Sequence, residues 1–159
     1  GGGKVAYILD SSDPGYDANK QHGLIAAAAD QSAGIAWAIG DFQSTAVPGG
    51  TLLTIGSGSA NTDNIIAQNG EGSTYAAGLA QAYRGGGHED WFLPSKDELY
   101  KLYINRVAIG GFADNYSSYY WSSSEFNEIG AWYGNFRDGS FTNPSGKDHP
   151  FHVRAVRAF

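Results

Sequence analysis

Residues 90–99 read Asp-Trp-Phe-Leu-Pro-Ser-Lys-Asp-Glu-Leu and join a short apolar segment to the start of a helix. Within them, Ser95 and Glu98 have the spacing of a capping box, in which each side chain accepts a hydrogen bond from the backbone N–H of the other residue. Apolar residues then recur at helical spacing over residues 99–103. The sequence therefore predicts a helix that begins directly after Ser95.

Five further elements are predicted on the N-terminal side of this helix. Apolar runs indicate strands over residues 4–9, 23–27 and 35–39. Capping residues predict helices over residues 61–68 and 73–84, and the start of each offers two adjacent candidate caps.

On the C-terminal side of the helix, the chain changes to short strands and turns. Strands are predicted over residues 119–122, 131–137 and 151–159. No linker divides the sequence and no internal repeat stands out. We therefore expect one α+β domain over residues 1–159, with helices in the first two-thirds and irregular β structure in the last third.

Within residues 131–137, large side chains alternate, and successive side chains of a strand point to opposite faces of the sheet. We expect Trp132 and Phe136 to face the core. Tyr133 and Arg137 are then expected to face outward.

The composition of the 159-residue chain excludes several classes of protein. Cysteine is absent, which excludes disulfides, thiolate nucleophiles and cysteine-ligated zinc or iron–sulfur sites. The formal net charge of -6 argues against binding to nucleic-acid phosphates, and no apolar run approaches the ~18 residues of a membrane helix. Methionine is also absent, so we expect a processed product or an excised domain, with any signal or anchor outside this sequence.

Five segments, in this order, resemble the C-terminal domain family of a collagen-like bacterial adhesin. They are residues 2–7 (Gly-Gly-Lys-Val-Ala-Tyr), 22–27 (His-Gly-Leu-Ile-Ala-Ala), 90–99, 120–125 (Tyr-Trp-Ser-Ser-Ser-Glu) with the Ala-Trp pair at 131–132, and 153–157 (Val-Arg-Ala-Val-Arg). The resemblance implies a C-type-lectin-like fold in which the N- and C-terminal strands pair, two helices pack on the sheet and a long irregular region displays a binding face. Some relatives are variable proteins of diversity-generating retroelements, which mutate adenines at the 3′ end of their own gene.

Departures from other proteins of this fold limit what the resemblance implies. The disulfides of vertebrate C-type lectins are missing, and so are their calcium motifs Glu-Pro-Asn, Gln-Pro-Asp and Trp-Asn-Asp, so calcium-dependent sugar binding does not carry over. The cysteines of formylglycine-generating enzymes and the His-x3-His-x-Glu cluster of sulfoxide synthases are also absent. We therefore expect a protein that is not an enzyme, has no cofactor and holds no metal.

Two groups of side chains are candidates for a metal site. His149 and His152 lie three residues apart, which on a strand places them on opposite faces, so we expect two exposed histidines in a binding loop. Asp10, Asp13 and Asp17 offer oxygen ligands to a hard cation or form an exposed turn in which aspartates bond to the backbone. The turn is the favoured interpretation.

The run of three serines at residues 122–124 lacks the Gly-x-Ser-x-Gly context of a serine nucleophile. We expect these hydroxyls to satisfy backbone groups around Trp121. Glu125 is expected to accept hydrogen bonds from a neighbouring turn.

Tyrosine, serine and asparagine recur in the C-terminal third, and these residue types are typical of recognition surfaces. The positions expected to be displayed as ligand contacts are Ser117, Ser118, Tyr119, Phe126, Asn127, Ile129, Tyr133, Arg137, Asp138, Ser140, Phe141, Asn143, Asp148, His149, Phe151 and His152. Each is a residue type that arises when the adenines of an AAY asparagine codon are randomised. Residues of the same stretch outside this set are Trp121, Glu125, Glu128, Trp132 and Lys147.

The sequence thus predicts a non-enzymatic receptor or adhesin domain, diversified by a retroelement, at a cell surface or on a phage virion. Its expected ligand is a surface protein or a glycan, with no nucleic acid, no membrane insertion and oligomerisation possible. One alternative is an adhesin of fixed specificity for a glycan or a glycosaminoglycan, the latter requiring a basic patch of Arg137, Lys147 and His149. Another is a pilus or oligomer assembly module. Replacement of Tyr133, Arg137 and Phe141 by Ala is expected to abolish binding without unfolding the domain.

Overall fold

A computed structural model describes residues 1–115 and 118–159. The strands are β1 (Gly3–Ile8), β2 (Gly23–Ala27), β3 (Ser32–Ile35), β4 (Tyr119–Asn127), β5 (Gly130–Asn135), β6 (Pro144–Gly146), β7 (Phe151–Val153) and β8 (Val156–Ala158). The helices are α1 (Gly58–Asn69), α2 (Ala76–Ala82), α3 (Lys96–Ile104) and α4 (Arg106–Ile109). Short 3-10 turns occupy Gly40–Ser44 and Gly85–Gly87.

The first sheet has the strand order β1-β2-β8 and brings both ends of the chain together. Ala26 at its centre lies opposite Lys4 of β1 and Val156 of β8, both in antiparallel register. The terminal strands therefore share a sheet with β2 between them, which corrects the expected direct pairing. Every residue of β2 is buried, as its uninterrupted run of small and apolar residues predicts.

The second sheet has the order β3-β7-β4-β5-β6. β4 and β5 form its long antiparallel hairpin, in which Tyr119 lies opposite Asn135 at one end and Asn127 lies opposite Gly130 at the other. β7 runs parallel to β4 on the far side of the hairpin. β7, from near the C-terminus, therefore lies directly beside the β4–β5 hairpin.

The capping box at the start of α3 is confirmed. The Glu98 backbone N–H donates to the Ser95 hydroxyl (3.3 Å), and the Ser95 N–H donates to the Glu98 carboxylate (2.7 Å). Glu98 is completely buried and its second oxygen accepts a hydrogen bond from the Gly56 N–H (2.8 Å). This burial raises the pKa of the Glu98 carboxyl, although its hydrogen bonds act in the opposite direction.

Three tryptophans anchor the core, and each indole N–H has a backbone acceptor, as buried indoles require. Trp37 donates to the Ser122 carbonyl (2.8 Å) and Trp121 to the Ile35 carbonyl (2.9 Å). Trp91 donates to the Gly85 carbonyl (3.2 Å). All three indole rings are buried in the core.

Several element boundaries differ from the predictions because tertiary contacts decide them. A strand was expected over residues 35–39, but β3 ends at Ile35. The backbone N–H of Trp37 donates instead to the Lys147 carbonyl (2.8 Å), which lies outside the strands of the sheet. Helix α1 begins at Gly58, where a Cβ atom would lie 2.2 Å from a carboxylate oxygen of Glu98. Helix α2 begins only at Ala76, and β6 was not predicted at all.

Trp132 was expected to face the core but remains partly exposed. Its indole lies under the ammonium group of Lys96, 3.6 Å from the ring centroid, and Phe126 packs edge-on against it at 5.2 Å. A lysine stem and a second aromatic ring therefore cover Trp132 in place of core residues. Phe136, by contrast, is buried as predicted.

Helices and two curled sheets are packed together in an α+β, C-type-lectin-like fold, as the sequence predicts. None of the helices described is both long and apolar enough to cross a membrane.

Candidate functional site

Three aromatic side chains from three strands meet on one face of the second sheet. They are Tyr119 of β4, Tyr133 of β5 and Phe151 of β7, and we call them the aromatic cluster. Ring centroids lie 5.5 Å apart between the two tyrosines, 5.1 Å between Tyr119 and Phe151, and 5.0 Å between Tyr133 and Phe151. All three rings remain partly exposed, and all three residues were predicted to be displayed.

The aromatic cluster rests on a buried ring. Trp121 follows Tyr119 by two residues on β4, so both side chains lie on the same face of the sheet. The Trp121 ring is completely buried and contacts Phe151 at a centroid distance of 4.5 Å. Because this indole is also held by its hydrogen bond to the Ile35 carbonyl, the base of the cluster is fixed. Burial raises the pKa of the Tyr133 hydroxyl, and Tyr119 and Asp138 add to the shift.

One edge of the aromatic cluster carries polar side chains. The His149 imidazole stacks on Phe151 at 5.9 Å, and its Nδ1 lies 3.1 Å from the Gly146 carbonyl and 3.2 Å from the Ser145 hydroxyl. The carboxylate of Asp148 lies 3.5 Å from the same nitrogen. His149 and Asp148 are therefore displayed beside the cluster, as predicted.

A second exposed group lies at the end of the β4–β5 hairpin. Phe126 and Ile129 are 52% and 59% exposed, which is unusual for large apolar side chains. They border a cleft of about 280 Å³ that Pro144 and Ser145 close from β6. Asn127, in contrast, has a local role, since its side-chain oxygen Oδ1 accepts hydrogen bonds from the backbone N–H groups of residues 129 and 130.

A third group occupies the turn after β5. Asp138 organises this turn, because its carboxylate accepts hydrogen bonds from the Asn135 amide (2.9 Å) and from the Ser140 N–H (2.9 Å). Arg137 and Asn143 are exposed on the same turn. These side chains are displayed as predicted, although Asp138 shapes the turn as well.

Three residues expected to be displayed are buried, which corrects the prediction. Ser118 is completely buried, and its hydroxyl donates to the Asn115 carbonyl (2.5 Å). His152 is 8% exposed and stacks on Tyr120 at 4.9 Å, so the two histidines expected in a binding loop are separated. The remaining candidate, Ser117, lies outside the described residues.

Phe141 is the third buried residue, with only 9% of its surface exposed. Its ring packs edge-on against Tyr100 at 5.3 Å and contacts Tyr103 at 5.8 Å. It also sits directly over Gly134, whose missing side chain leaves room for it. Phe141 was expected to be displayed and is buried instead, so the triple variant that includes Phe141→Ala is expected to lose stability because that change opens a cavity in the core.

The basic patch considered for a sulfated ligand does not form as proposed. Lys147 is completely buried, and its ammonium group donates to Glu125 (2.6 Å) and to the Thr45 carbonyl (2.8 Å). The same ammonium lies 5.0 Å from the Trp37 ring centroid. Lys147 therefore holds the loop before α1 against β4 and contributes no charge to the exposed surface.

Sequence reasoning missed a buried charged network behind the aromatic cluster. The Arg154 guanidinium donates to Asp30 (2.7 Å) and to the carbonyls of residues 27, 110 and 111. Asp30 also accepts a hydrogen bond from the Tyr120 hydroxyl (2.7 Å) and lies 3.3 Å from Nδ1 of His152. The signal available in the sequence was the apolar setting of Arg154 in Val-Arg-Ala-Val, where a charge needs a buried partner.

The expected bonding of serine hydroxyls to backbone groups is confirmed for Ser122 and Ser124, whereas the Ser123 hydroxyl accepts a hydrogen bond from the Asn61 side chain (3.3 Å). The Ser122 hydroxyl donates to the Trp132 carbonyl (2.7 Å), and the Ser124 hydroxyl donates to the Leu52 carbonyl (2.7 Å). Glu125 accepts hydrogen bonds from the Val47 N–H through both oxygens (3.1 and 3.2 Å), as a neighbouring turn would provide.

The aspartates near the N-terminus form turns. The Tyr7 hydroxyl lies 2.5 Å from Asp13 and 3.1 Å from Asp10, while Asp17 accepts a hydrogen bond from the N–H two residues later (2.8 Å). Asp10 likewise accepts from the Ser12 N–H (2.9 Å), in agreement with the favoured turn interpretation. Across residues 1–115 and 118–159, no three histidine, aspartate or glutamate side chains come close enough to share a metal ion.

Comparison with known families gives one finding that bears on this surface. The family model described as the Lcl C-terminal domain matches residues 26–157, which include all the strands of the second sheet and the whole aromatic cluster. The chain has no significant match among curated proteins.

Proposed function

The chain belongs to the Lcl C-terminal domain family, an adhesin-like, ligand-binding type of domain, and from this premise we propose that its ligand binds at the aromatic cluster. The domain acts outside the cell, at a bacterial surface or on a phage virion, and binds without catalysing a reaction. The ligand is a surface macromolecule rather than a nucleic acid, since the net charge is -6.

The observation that carries this proposal is the convergence of Tyr119, Tyr133 and Phe151 from three strands onto one partly exposed site. Exposed aromatic groups held on a rigid base are typical of interaction surfaces, because they offer large contact area at small cost in side-chain entropy. Trp121 supplies the rigid base. The exposed turns around residues 126–129 and 137–143 extend the surface with polar and apolar contacts.

We further propose that retroelement mutagenesis diversifies this surface. Fifteen of the positions that the sequence predicts to be displayed are described, all of residue types that an adenine-randomised asparagine codon can encode, and twelve of them are at least partly exposed. Residues of the stretch outside that set include Trp121 and Lys147, which are buried, and Glu125, which pairs with Lys147. Buried residues such as Tyr120, Ser122 and Phe136 are also of types that this mutagenesis can produce, so we expect diversification only at the exposed positions.

Amplicon sequencing of the 3′ end of the gene in its source population tests this diversification. We expect substitutions at adenines in the codons of exposed residues, and constant codons for Trp121, Trp132 and Lys147. The codons of the buried residues Ser118, Phe141 and His152 are expected to be constant as well. A uniform 3′ end would contradict diversification and leave a fixed-specificity adhesin.

Binding itself is tested on an array of glycans and bacterial surface proteins. Tyr133→Ala is expected to abolish any specific signal, while the matched variant Tyr16→Ala, at a tyrosine 45% exposed near the N-terminus, retains it. Retention by both variants would contradict the assignment of the site. Light scattering serves as the companion measurement, since a stable oligomer that buries the aromatic cluster would favour an assembly module instead.

A further inference from the structure

On the basis of the proposed function, we propose that the aromatic cluster receives a cationic group, the ammonium or guanidinium of a lysine- or arginine-rich segment of a partner protein. This goes beyond ligand binding in general because it specifies the charge and the class of the ligand.

The chemistry of the three rings favours a cationic ligand. The face of an aromatic ring carries negative potential and attracts a cation within about 6 Å of its centroid. This protein uses that attraction within its own fold, where Lys96 lies over Trp132 at 3.6 Å and Arg106 over Tyr103 at 4.1 Å.

The described intramolecular cation contacts occupy rings other than those of the aromatic cluster. They involve Trp132, Tyr7, Tyr103, Trp37 and Phe112. Tyr119, Tyr133 and Phe151 instead contact one another and remain partly exposed. Because Trp121 and His149 also cover Phe151, a cation supplied by another molecule would contact mainly the exposed parts of the two tyrosine rings.

Carboxylates lie beside the aromatic cluster. The Asp138 carboxylate accepts a hydrogen bond from the Asn135 amide at 2.9 Å, and Asn135 lies opposite Tyr119 in the β4–β5 register. At the other edge, the Asp148 side chain is 69% exposed and lies 3.5 Å from the His149 ring that stacks on Phe151. Carboxylates therefore flank the cluster on both sides.

Lys147, a cation of the same region, does not offset this charge. Lys147 is buried and paired with Glu125 at 2.6 Å, so its charge is neutralised inside the fold. Arg137 is adjacent to Asp138 in the same turn, and the whole chain carries a net charge of -6. The carboxylates beside the aromatic cluster and the negative net charge of the chain both attract a basic segment, whereas both repel a sulfated or phosphorylated ligand.

The test is an NMR titration of the ¹⁵N-labelled domain at 150 mM salt with three blocked peptides, tetralysine, tetraglutamate and a neutral Gly-Ser tetramer. Only tetralysine is expected to shift the amides of Tyr119, Tyr133 and Phe151. Tyr133→Leu keeps an apolar side chain but removes the phenol ring, and is expected to weaken tetralysine binding about five- to tenfold. Asp148→Asn is expected to weaken it in the same direction.

Controls separate a specific site from general attraction to an acidic protein. Tyr16→Leu and Glu71→Gln change an exposed tyrosine and an exposed carboxylate elsewhere, and each is expected to leave tetralysine binding unchanged. If Tyr133→Leu lowers the urea midpoint, Tyr119→Leu replaces it. Shifts spread over the whole surface, or equal loss in the controls, would overturn the proposal.

Failure of this inference is distinguishable from failure of the proposed function. If Tyr133→Ala abolishes binding on the array while tetralysine shifts none of the cluster amides, the aromatic cluster is the binding site but its ligand is not cationic. We expect that result if the wild-type domain binds a neutral glycan on the array. If Tyr133→Ala leaves array binding intact, the proposed site itself is wrong.

Discussion

The ammonium nitrogen of Lys147 lies 2.6 Å from a carboxylate oxygen of Glu125, and the lysine side chain is completely buried. The pair joins the turn after β6 to β4, and the same ammonium bonds the Thr45 carbonyl at 2.8 Å. Since removal of one member leaves the other charge without compensation in a poorly solvated place, such pairs are costly to break.

Lys147→Met is therefore expected to lower the free energy of unfolding by about 3–5 kcal/mol. Urea denaturation of the variant and the wild type measures this difference. Lys20→Met, at an exposed lysine, is the matched control and is expected to change stability by less than about 0.5 kcal/mol. A loss below about 1 kcal/mol for Lys147→Met would show that the pair contributes little.

Phe141→Ala is expected to destabilise the domain by about 3–5 kcal/mol, because it removes a ring that packs on Tyr100, Tyr103 and Phe136. Phe126→Ala is the matched control at a ring that is 52% exposed. We expect the control to lose much less stability in the same urea experiment. Equal losses would mean that the turn after β5 is not packed as described.

Gly134→Ala is expected to cost about 1–3 kcal/mol through overpacking. A Cβ atom at this position would lie 2.3 Å from the Phe141 ring, which is held in place by its aromatic neighbours. Gly34→Ala, where the nearest atom lies at 3.4 Å, is expected to be close to neutral. In a double-mutant cycle, Phe141→Leu should relieve part of the cost of Gly134→Ala, and strict additivity would argue against the contact.

Glu98 gives the stability a defined pH dependence. Burial raises the pKa of its carboxyl in the folded state above the unfolded value of 4.5. The folded state therefore binds the proton more tightly, so the stability that Glu98 contributes is fully present below pH 4.5 and is lost as the pH rises through the folded pKa.

Comparison of the wild type with Glu98→Gln, which does not titrate, isolates this contribution. The stability of the wild type relative to the variant is expected to fall as the pH is raised from 4 to 7, as measured by urea denaturation at each pH. Glu128→Gln, at an exposed carboxylate, is expected to show no such trend against the wild type. Parallel curves for Glu98→Gln and the wild type would contradict the raised pKa.

Local sequence patterns determined the elements whose cause is local. The capping box of Ser95 and Glu98 placed the start of α3, and the uninterrupted apolar run of residues 23–27 placed β2 as a buried strand. Both rest on interactions between residues close in the chain or on the burial of a whole segment, and these leave a readable signature. The α+β class followed from the same patterns.

The sequence did not reliably indicate which side chains of the C-terminal third are exposed. Alternation over residues 131–137 correctly placed Phe136 in the core. It also placed Trp132 there, but Trp132 is partly exposed and is covered by Lys96 of α3. Composition marked Phe141 and His152 as displayed, yet each fills space beside Tyr103 or Tyr120. A Tyr- and Phe-rich segment has the same composition whether its rings fill the core or face the solvent.

The sequence by itself determined that the chain folds as an α+β domain of the C-type-lectin-like kind, with an aromatic and polar C-terminal third. Only the tertiary structure decided that Tyr119, Tyr133 and Phe151 meet, since the parallel pairing of β7 with β4 brings together residues 32 positions apart. It also decided that Lys147 is buried. Such contacts depend on which strands become neighbours, and strand order is set by the packing of the whole chain rather than by any local pattern.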